Sequence, residues 1–143
     1  MATTQPYTLG KNDKLKSRKS IEQLFKEGKS FSNFPFRVLY LQATTGNLHG
    51  EDVKTNLQTA FSVSKRYFKK AVDRNRIKRL MREGWRLQKN ELLNNCKTSN
   101  KNLLVFIIYT GNELPEYTVV FEKIGIVIKR LQKMNNETVA SNM

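Results

Sequence analysis

Basic residues crowd one stretch of the chain, between positions 65 and 86. Ten lysines and arginines stand there against only two acids, Asp73 and Glu83, and their net charge of +8 is over half of the +14 carried by all 143 residues. The basic residues are Lys65, Arg66, Lys69, Lys70, Arg74, Arg76, Lys78, Arg79, Arg82 and Arg86. A folded chain tolerates such an excess most readily when its partner is a polyanion, so the stretch predicts contact with nucleic acid.

These residue types suit the phosphate backbone of a nucleic acid. An arginine guanidinium donates two parallel hydrogen bonds to phosphate oxygens, so a rigid array of arginines would hold a backbone in a set register. Phosphate contacts carry little sequence information, and we expect this array to recognise shape more than sequence. The alternative is a solvated, salt-bridged helix, which normally alternates the sign of its charges.

A helix must position this array, and the pattern predicts one that starts between residues 68 and 73 and ends near Asn90. At about 100° per residue, the apolar positions cluster on one side. They are Ile77, Leu80, Met81, Gly84 and Trp85, and the opposite side carries Asn75, Lys78, Arg79, Arg82 and Arg86. The helix therefore buries one stripe, with Trp85 in the core, and displays another that is almost wholly cationic.

The sequence offers no protein-based catalytic set. His49 lies in a glycine-flanked polar loop without a cysteine or acid cluster at metal-ligand spacing, and Cys96 has no histidine or acid companion nearby. No glycine-rich phosphate loop or zinc-protease motif is present. The lone cysteine excludes an internal disulfide and is compatible with a reducing cytoplasm, where we expect the protein.

The N-terminal part is predicted to be a mobile basic arm over residues 1–14, followed by a short helix over residues 20–28. Ser20 and Gln23 have the spacing of a capping box, and Gly28 suits the left-handed position that ends many helices. Alternation predicts strands over residues 34–43 and 57–63. The polar loop between them, residues 44–56, predicts a long hairpin connection.

The C-terminal part continues with a polar linker over residues 94–102 and a strand over residues 103–109. That strand is a continuous apolar run, as is typical of the centre of a sheet. A final amphipathic helix is predicted over residues 116–134. We therefore expect one RNA-binding domain over residues 15–134 and a flexible tail over residues 135–143.

Three aromatic residues, Phe25, Phe36 and Tyr40, are candidates for a second kind of contact. If their rings are exposed, unpaired bases can stack on them. The alternative for each ring is an ordinary place in the core. Tyr40 is the strongest candidate, because its hydroxyl tolerates water.

The basic stretch resembles the signature of the bacterial ribonuclease P protein subunit. That pattern is a V-S-K-[KR] strand end, a turn, A-V, and then R-N-R-x-K-R-x-x-R on a helix. Here it corresponds to Val63-Ser64-Lys65-Arg66, Ala71-Val72 and residues 74–82, and the run Phe25-Lys26-Glu27-Gly28 fits the end of the family's first helix. The resemblance covers residues 15–133.

The resemblance implies an accessory role in an enzyme whose catalyst is RNA. The protein would bind one copy of the catalytic RNA and assist Mg²⁺-dependent removal of the 5′ leader from precursor tRNA, with no part for DNA or membrane. The magnesium would be held mainly by the RNA. Two other interpretations stay open from the residues alone: a structural RNA-binding protein without a link to cleavage, and a free-standing nuclease, which the single histidine and scattered acids disfavour.

The resemblance also assigns residues to two sites. The leader would cross a cleft near Phe25, Phe36 and Tyr40, between the first helix and the sheet. The catalytic RNA would meet Lys65, Arg66, Arg74, Asn75, Arg76, Lys78, Arg79, Arg82 and Arg86. The chain departs from the family pattern at Ile21, where an aromatic residue is usual, and in the turn over residues 67–70, which is one residue longer. Tyr67 or Phe68 in that turn would either offer a replacement ring or pack under the helix.

The fold implied by the resemblance is α+β, a single compact α/β sandwich in the order α-β-β-α-β-α. A short extra strand is expected in the first hairpin. The mixed sheet would contain a left-handed β-α-β crossover around the basic helix, as in the second domain of ribosomal protein S5. General rules of chain connection favour the right-handed form, so only the resemblance supports this handedness.

Overall fold

A computed structural model describes residues 14–15, 18–44, 57–99 and 101–141. Three helices and four strands follow one another in these ranges. In chain order they are α1 (Arg18–Glu27), β1 (Lys29–Asn33), β2 (Phe36–Thr44), β3 (Leu57–Val63), α2 (Ala71–Ser99), β4 (Lys101–Tyr109) and α3 (Tyr117–Ser141). The α+β class and the predicted element order, with its extra short strand, are confirmed.

The sheet has the strand order β1-β2-β4-β3. Its first three strands are antiparallel neighbours, whereas β3 and β4 run parallel. Parallel neighbours need a long crossover connection, which α2 supplies. The predicted hairpin across residues 44–56 is wrong, because β4 lies between β2 and β3. The predicted central place of β4 is confirmed, while the handedness of the crossover stays a prediction.

The short strand β1 had no signal of its own in the sequence. Its five residues, KSFSN, are mostly polar and lie at the edge of the sheet. β1 pairs with β2 through the register from Lys29 opposite Tyr40 to Asn33 opposite Phe36. Phe34 and Pro35 form the turn between the two strands, so β2 begins two residues later than predicted.

Helices cover both faces of the sheet. On one face α2 and α3 pack over a core that includes Trp85, Ile107 and Ile124, all fully buried. On the other face α1 packs over a smaller cluster around Leu24 and Leu39. The central strand β4 has buried side chains on both faces, which explains why its sequence is a continuous apolar run rather than an alternating one.

Both long helices extend past their predicted ends. Leu92 and Cys96 are fully buried and continue the apolar stripe of α2, so residues 94–99 are helical and the predicted linker is wrong there. α3 continues to Ser141, beyond the predicted end at residue 134. Asn135 is buried inside this continuation: its Oδ1 accepts a hydrogen bond from Gln42 Nε2 at 2.7 Å, and its Nδ2 donates one to Asn95 Oδ1. The predicted tail therefore starts within α3.

The start of the domain lies on the free edge of β3. Lys14 forms a parallel bridge with Thr59, and the Leu15 N–H donates to the Thr59 carbonyl at 3.0 Å. Leu15 is buried in the α1 cluster. The rest of the predicted arm, and the loop that carries His49, lie outside the described residues. In the ranges that the structure does describe, no helix is long and apolar enough to cross a membrane.

α1 begins at Arg18, two residues before the predicted cap, so the capping box is wrong. Ser20 is buried within the helix, and Gln23 Nε2 donates forward to Glu27 Oε2 at 3.1 Å. Gly28 does not occupy the left-handed region. It is needed for close approach instead, because a Cβ there would clash with the Leu24 carbonyl oxygen and lie 3.0 Å from the Tyr40 carbonyl oxygen.

Replacing Gly28 with Ala should destabilise the protein by about 1–3 kcal/mol, since the added methyl group meets backbone that cannot move aside cheaply. Gly84 is the matched control. A Cβ there would meet Phe121 Cα at 3.5 Å, an ordinary contact. Gly84→Ala should stabilise α2 by about 0.5–1 kcal/mol through helix propensity. Urea unfolding of both variants tests this, and equal changes in the free energy of unfolding would contradict it.

Candidate nucleic-acid interface

The direction of the basic face is set by the buried face of α2. Ile77, Met81 and Trp85 are fully buried, and the Trp85 ring meets Phe61 of β3 edge-on with centroids 6.2 Å apart. These residues repeat every four positions along the helix, so they hold one line of α2 against the sheet and α3. The predicted core role of Trp85 is confirmed, and the cations opposite must face outward.

Four polar side chains of the predicted array are exposed: Asn75, Arg76, Arg79 and Arg82. Successive arginines lie three residues apart, which is a rise of about 4.5 Å along the axis. Within the described part of the chain, none of the three arginines belongs to an ion pair. Their guanidinium groups therefore form an outward row that is open to an anionic partner. Lys78 lies beside them and is half-buried.

Arg86 lies further along the same helix but differs from this row. Its Nε donates to Glu83 Oε2 at 3.1 Å, and the two side chains form an ion pair. The hydrogen bond from Arg86 holds the pKa of the Glu83 carboxyl below its ordinary value, and the same bond raises the pKa of Arg86. Arg86 therefore offers less uncompensated charge than Arg76, Arg79 or Arg82. Glu83 therefore balances charge locally on α2.

The connection from β3 to α2, residues 64–70, adds four exposed cations: Lys65, Arg66, Lys69 and Lys70. Its two aromatic residues have different places. Phe68 is buried, with its ring centroid 6.1 Å from that of Tyr109. Tyr67 is 48% exposed, and the Arg66 guanidinium carbon lies 5.4 Å from its ring centroid. Tyr67 is thus the ring that solvent can reach, while Phe68 packs beneath the helix.

The structure does not bring Phe25, Phe36 and Tyr40 into one cleft. Phe36 is 1% exposed and packs edge-on against Tyr109, so its predicted stacking role is wrong. Tyr40 is half-buried on the same face of the sheet as α2 and α3, where it packs beside Phe31. Phe25 is 53% exposed and lies on the opposite face, on α1. Adjacent residues along a strand point to opposite faces of the sheet. Because Leu39 faces α1, the neighbouring Tyr40 faces α2 and α3.

An open strip of sheet beside α1 was missed by the sequence analysis. Phe25 meets Phe106 of β4 edge-on, with ring centroids 5.2 Å apart. Phe106 and Ile108 are only half-buried, although they pack against the α1 cluster. Arg37 of β2 and Ser62 of β3 flank Ile108 in register. The sequence did not reveal this strip, because the continuous apolar run of β4 indicates burial on both faces. It does not show that α1, a single short helix, covers only part of one face.

The described residues contain no evident catalytic group. Cys96 is fully buried, and burial raises the pKa of its thiol to about 12, so it is protonated and inaccessible. In the same ranges, no group of three or more His, Cys, Asp or Glu side chains is placed to hold a metal ion. What this part of the chain does present is a cationic helix and an apolar strip on separate surfaces.

Comparison with known proteins agrees with this description. The family model described as Ribonuclease P matches residues 9–132. The "Ribonuclease P protein component" of Porphyromonas gingivalis strain ATCC 33277 is 35% identical over 119 residues, which cover 82% of each chain. That of Chlorobium phaeobacteroides is 29% identical over 135 residues, covering 87% of this chain and 88% of the relative.

Solved structures show the same fold. The RNase P protein from Thermotoga maritima is 27% identical and has a TM-score of 0.57, with 82% of this chain and 96% of that chain covered. The Staphylococcus aureus protein is 21% identical and has a TM-score of 0.60, a likeness of fold alone.

The fold is a mixed α/β sandwich with a row of outward arginines on α2, and the comparisons place it in one protein family. The chain belongs to the ribonuclease P protein family, whose members are the protein components of a tRNA-processing ribonuclease. This membership favours a subunit of an RNA-containing enzyme over a free-standing nuclease.

Proposed function

We propose that this protein binds the catalytic RNA of ribonuclease P, one copy to one, through α2 and the turn before it. We propose further that it assists the Mg²⁺-dependent removal of the 5′ leader from precursor tRNA in the cytoplasm. The outward row of Arg76, Arg79 and Arg82 carries the proposal. Because Ile77, Met81 and Trp85 are fully buried behind it, the row is held in place before RNA arrives. Binding then requires little further ordering of the helix.

The magnesium in this proposal is held mainly by RNA. The two acids of the basic stretch do not form a site, since Glu83 is paired with Arg86 and Asp73 lies ten residues away in the first turn of α2. When bound, magnesium would activate a water and neutralise charge on the reacting phosphate. The part of this chain is to supply fixed positive charge, which lowers the repulsion between two RNA strands brought close together.

The leader is proposed to lie along the strip beside α1 rather than at Tyr40. Phe25 and Phe106 offer ring surface there, and an exposed aromatic contributes about 1–3 kcal/mol per stacked base. Arg37 is exposed where β2 borders this strip and can pair with a phosphate. Stacking tolerates every base, so we expect this strip to accept leaders of many sequences.

Replacing both Arg76 and Arg79 with Ala should weaken binding to a bacterial ribonuclease P RNA. The slope of log K against log salt should become less negative by about 1.4–1.8, since two phosphate contacts and their released counterions are lost. Filter binding over a range of salt concentrations measures this slope. Arg86→Ala is the control, and it should change the slope by less than half as much as the double variant, because Arg86 is already paired with Glu83. An unchanged slope in the double variant would count against the phosphate role.

Replacing Phe25 with Ala should weaken binding of precursor tRNA to the holoenzyme about tenfold through lost stacking. Leaderless tRNA should bind almost as before. Phe34→Ala is the control, since Phe34 is 74% exposed in the turn between β1 and β2 and does not line the strip. Equal losses for tRNA with and without a leader would show that Phe25 supports the fold instead.

A further inference from the structure

Arg74 differs from every other arginine of the basic helix. It stands in the first turn of α2, is half-buried, and directs its guanidinium back toward the preceding turn. Its Nη1 donates one hydrogen bond to the Phe68 carbonyl oxygen and another to the Lys69 carbonyl oxygen, both at 2.8 Å. Each Nη carries two hydrogens, so both N–H bonds of this nitrogen are used within the protein. The resemblance placed Arg74 against RNA, whereas its observed partners are backbone.

The two carbonyls belong to the connection that carries Lys65, Arg66, Lys69 and Lys70. Four like charges within six residues repel one another when no polyanion is bound, and this repulsion favours opening of the turn. Backbone hydrogen bonds hold the two ends of the connection: the Ser64 N–H donates to the Tyr109 carbonyl at 3.3 Å, and the Arg74 N–H donates to the Lys70 carbonyl at 3.2 Å. The Phe68 ring is anchored against Tyr109, and the Arg66 N–H donates to Ser64 Oγ at 3.2 Å. The Arg74 bonds fix the remaining part, Phe68 to Lys69, directly onto the helix.

We propose that Arg74 is a positioning residue. It holds the four cations of the turn in a fixed position relative to the arginine row of α2, and it affects RNA binding through those cations. The inference rests on the proposed function, in which the turn and α2 bind RNA together. A loosened turn would still carry its charges but would have to be ordered at the moment of binding, and that ordering lowers affinity. A charged donor is well suited to the task, because hydrogen bonds from an ionised group are stronger than those between neutral groups.

A double-mutant cycle on RNA affinity separates positioning from direct contact. The variants are Arg74→Ala, Lys70→Ala and their combination, each titrated with a bacterial ribonuclease P RNA. Residues that act through one another show non-additive effects, whereas independent contacts add. If each single change weakens binding about fivefold, the double variant should lose about tenfold rather than the roughly 25-fold of independent contacts.

The control cycle pairs Lys70→Ala with Arg82→Ala, which removes an exposed arginine two turns further along. The losses of RNA affinity in its two single variants should multiply in the double variant. Amide hydrogen exchange supplies a readout without RNA, because the Arg66 N–H donates to Ser64 Oγ and the N–H of residue 74 donates to the Lys70 carbonyl. Arg74→Ala should speed exchange at both of these amides, while Arg82→Ala should not. Should Arg74→Ala fail to fold, Arg74→Met, which keeps a long side chain but has no donor, enters the same cycle under the same criterion.

Multiplying effects in the Arg74 cycle, or unchanged exchange in the turn, would overturn the inference and leave Arg74 as an ordinary phosphate contact. Those results would leave the proposed function intact. The proposed function itself fails differently: Lys70→Ala and Arg82→Ala would then bind RNA as well as the unchanged protein does.

Discussion

Burial of the apolar stripe of α2 is the constraint on which the rest depends. Fully burying a side chain the size of Ile77 or Met81 contributes about 1.5–3 kcal/mol, and Trp85 is larger still. That burial fixes the rotation of the helix about its own axis. The arginines on the opposite side repel one another, yet they cannot turn away without exposing the stripe. The charge therefore stays in one direction and in a fixed row, which a flexible basic tail could not achieve.

The sheet separates two surfaces of different character. α2 and α3 cover one face and carry the cationic row outward, while α1 covers only part of the other and leaves aromatic surface beside it. The strand β4 links the two, because its alternate residues pack on both faces. In the proposed function, a structured RNA against α2 and a single strand along the α1 side would thus contact different sides of one sheet. Phosphate pairing suits the first, and base stacking suits the second.

The parts that sequence could predict are those with a strong local pattern. The apolar stripe of α2 and the place of Trp85 follow from helical periodicity, and the central strand follows from its continuous apolar run. β1 could not be found this way, since KSFSN has one apolar residue and exists as a strand through its pairing with β2. The hairpin error had a similar cause, because each residue of β3 pairs with a residue of β4 that lies 46 positions further along the chain, from Leu57 with Leu103 to Val63 with Tyr109. For the site, residue types identified the cations, but only the fold showed that Arg74 and Arg86 are engaged, that Phe36 is buried and that Tyr40 lies on the face away from Phe25.

The most direct test of the account is reconstitution of precursor tRNA cleavage. Purified protein is added to a bacterial ribonuclease P RNA at low Mg²⁺, where fixed positive charge from a protein matters most, and release of the 5′ leader is followed. The account predicts faster leader removal with protein and RNA together than with RNA alone, and none with protein alone. No gain over RNA alone would contradict it, and so would cleavage by the repurified protein without RNA.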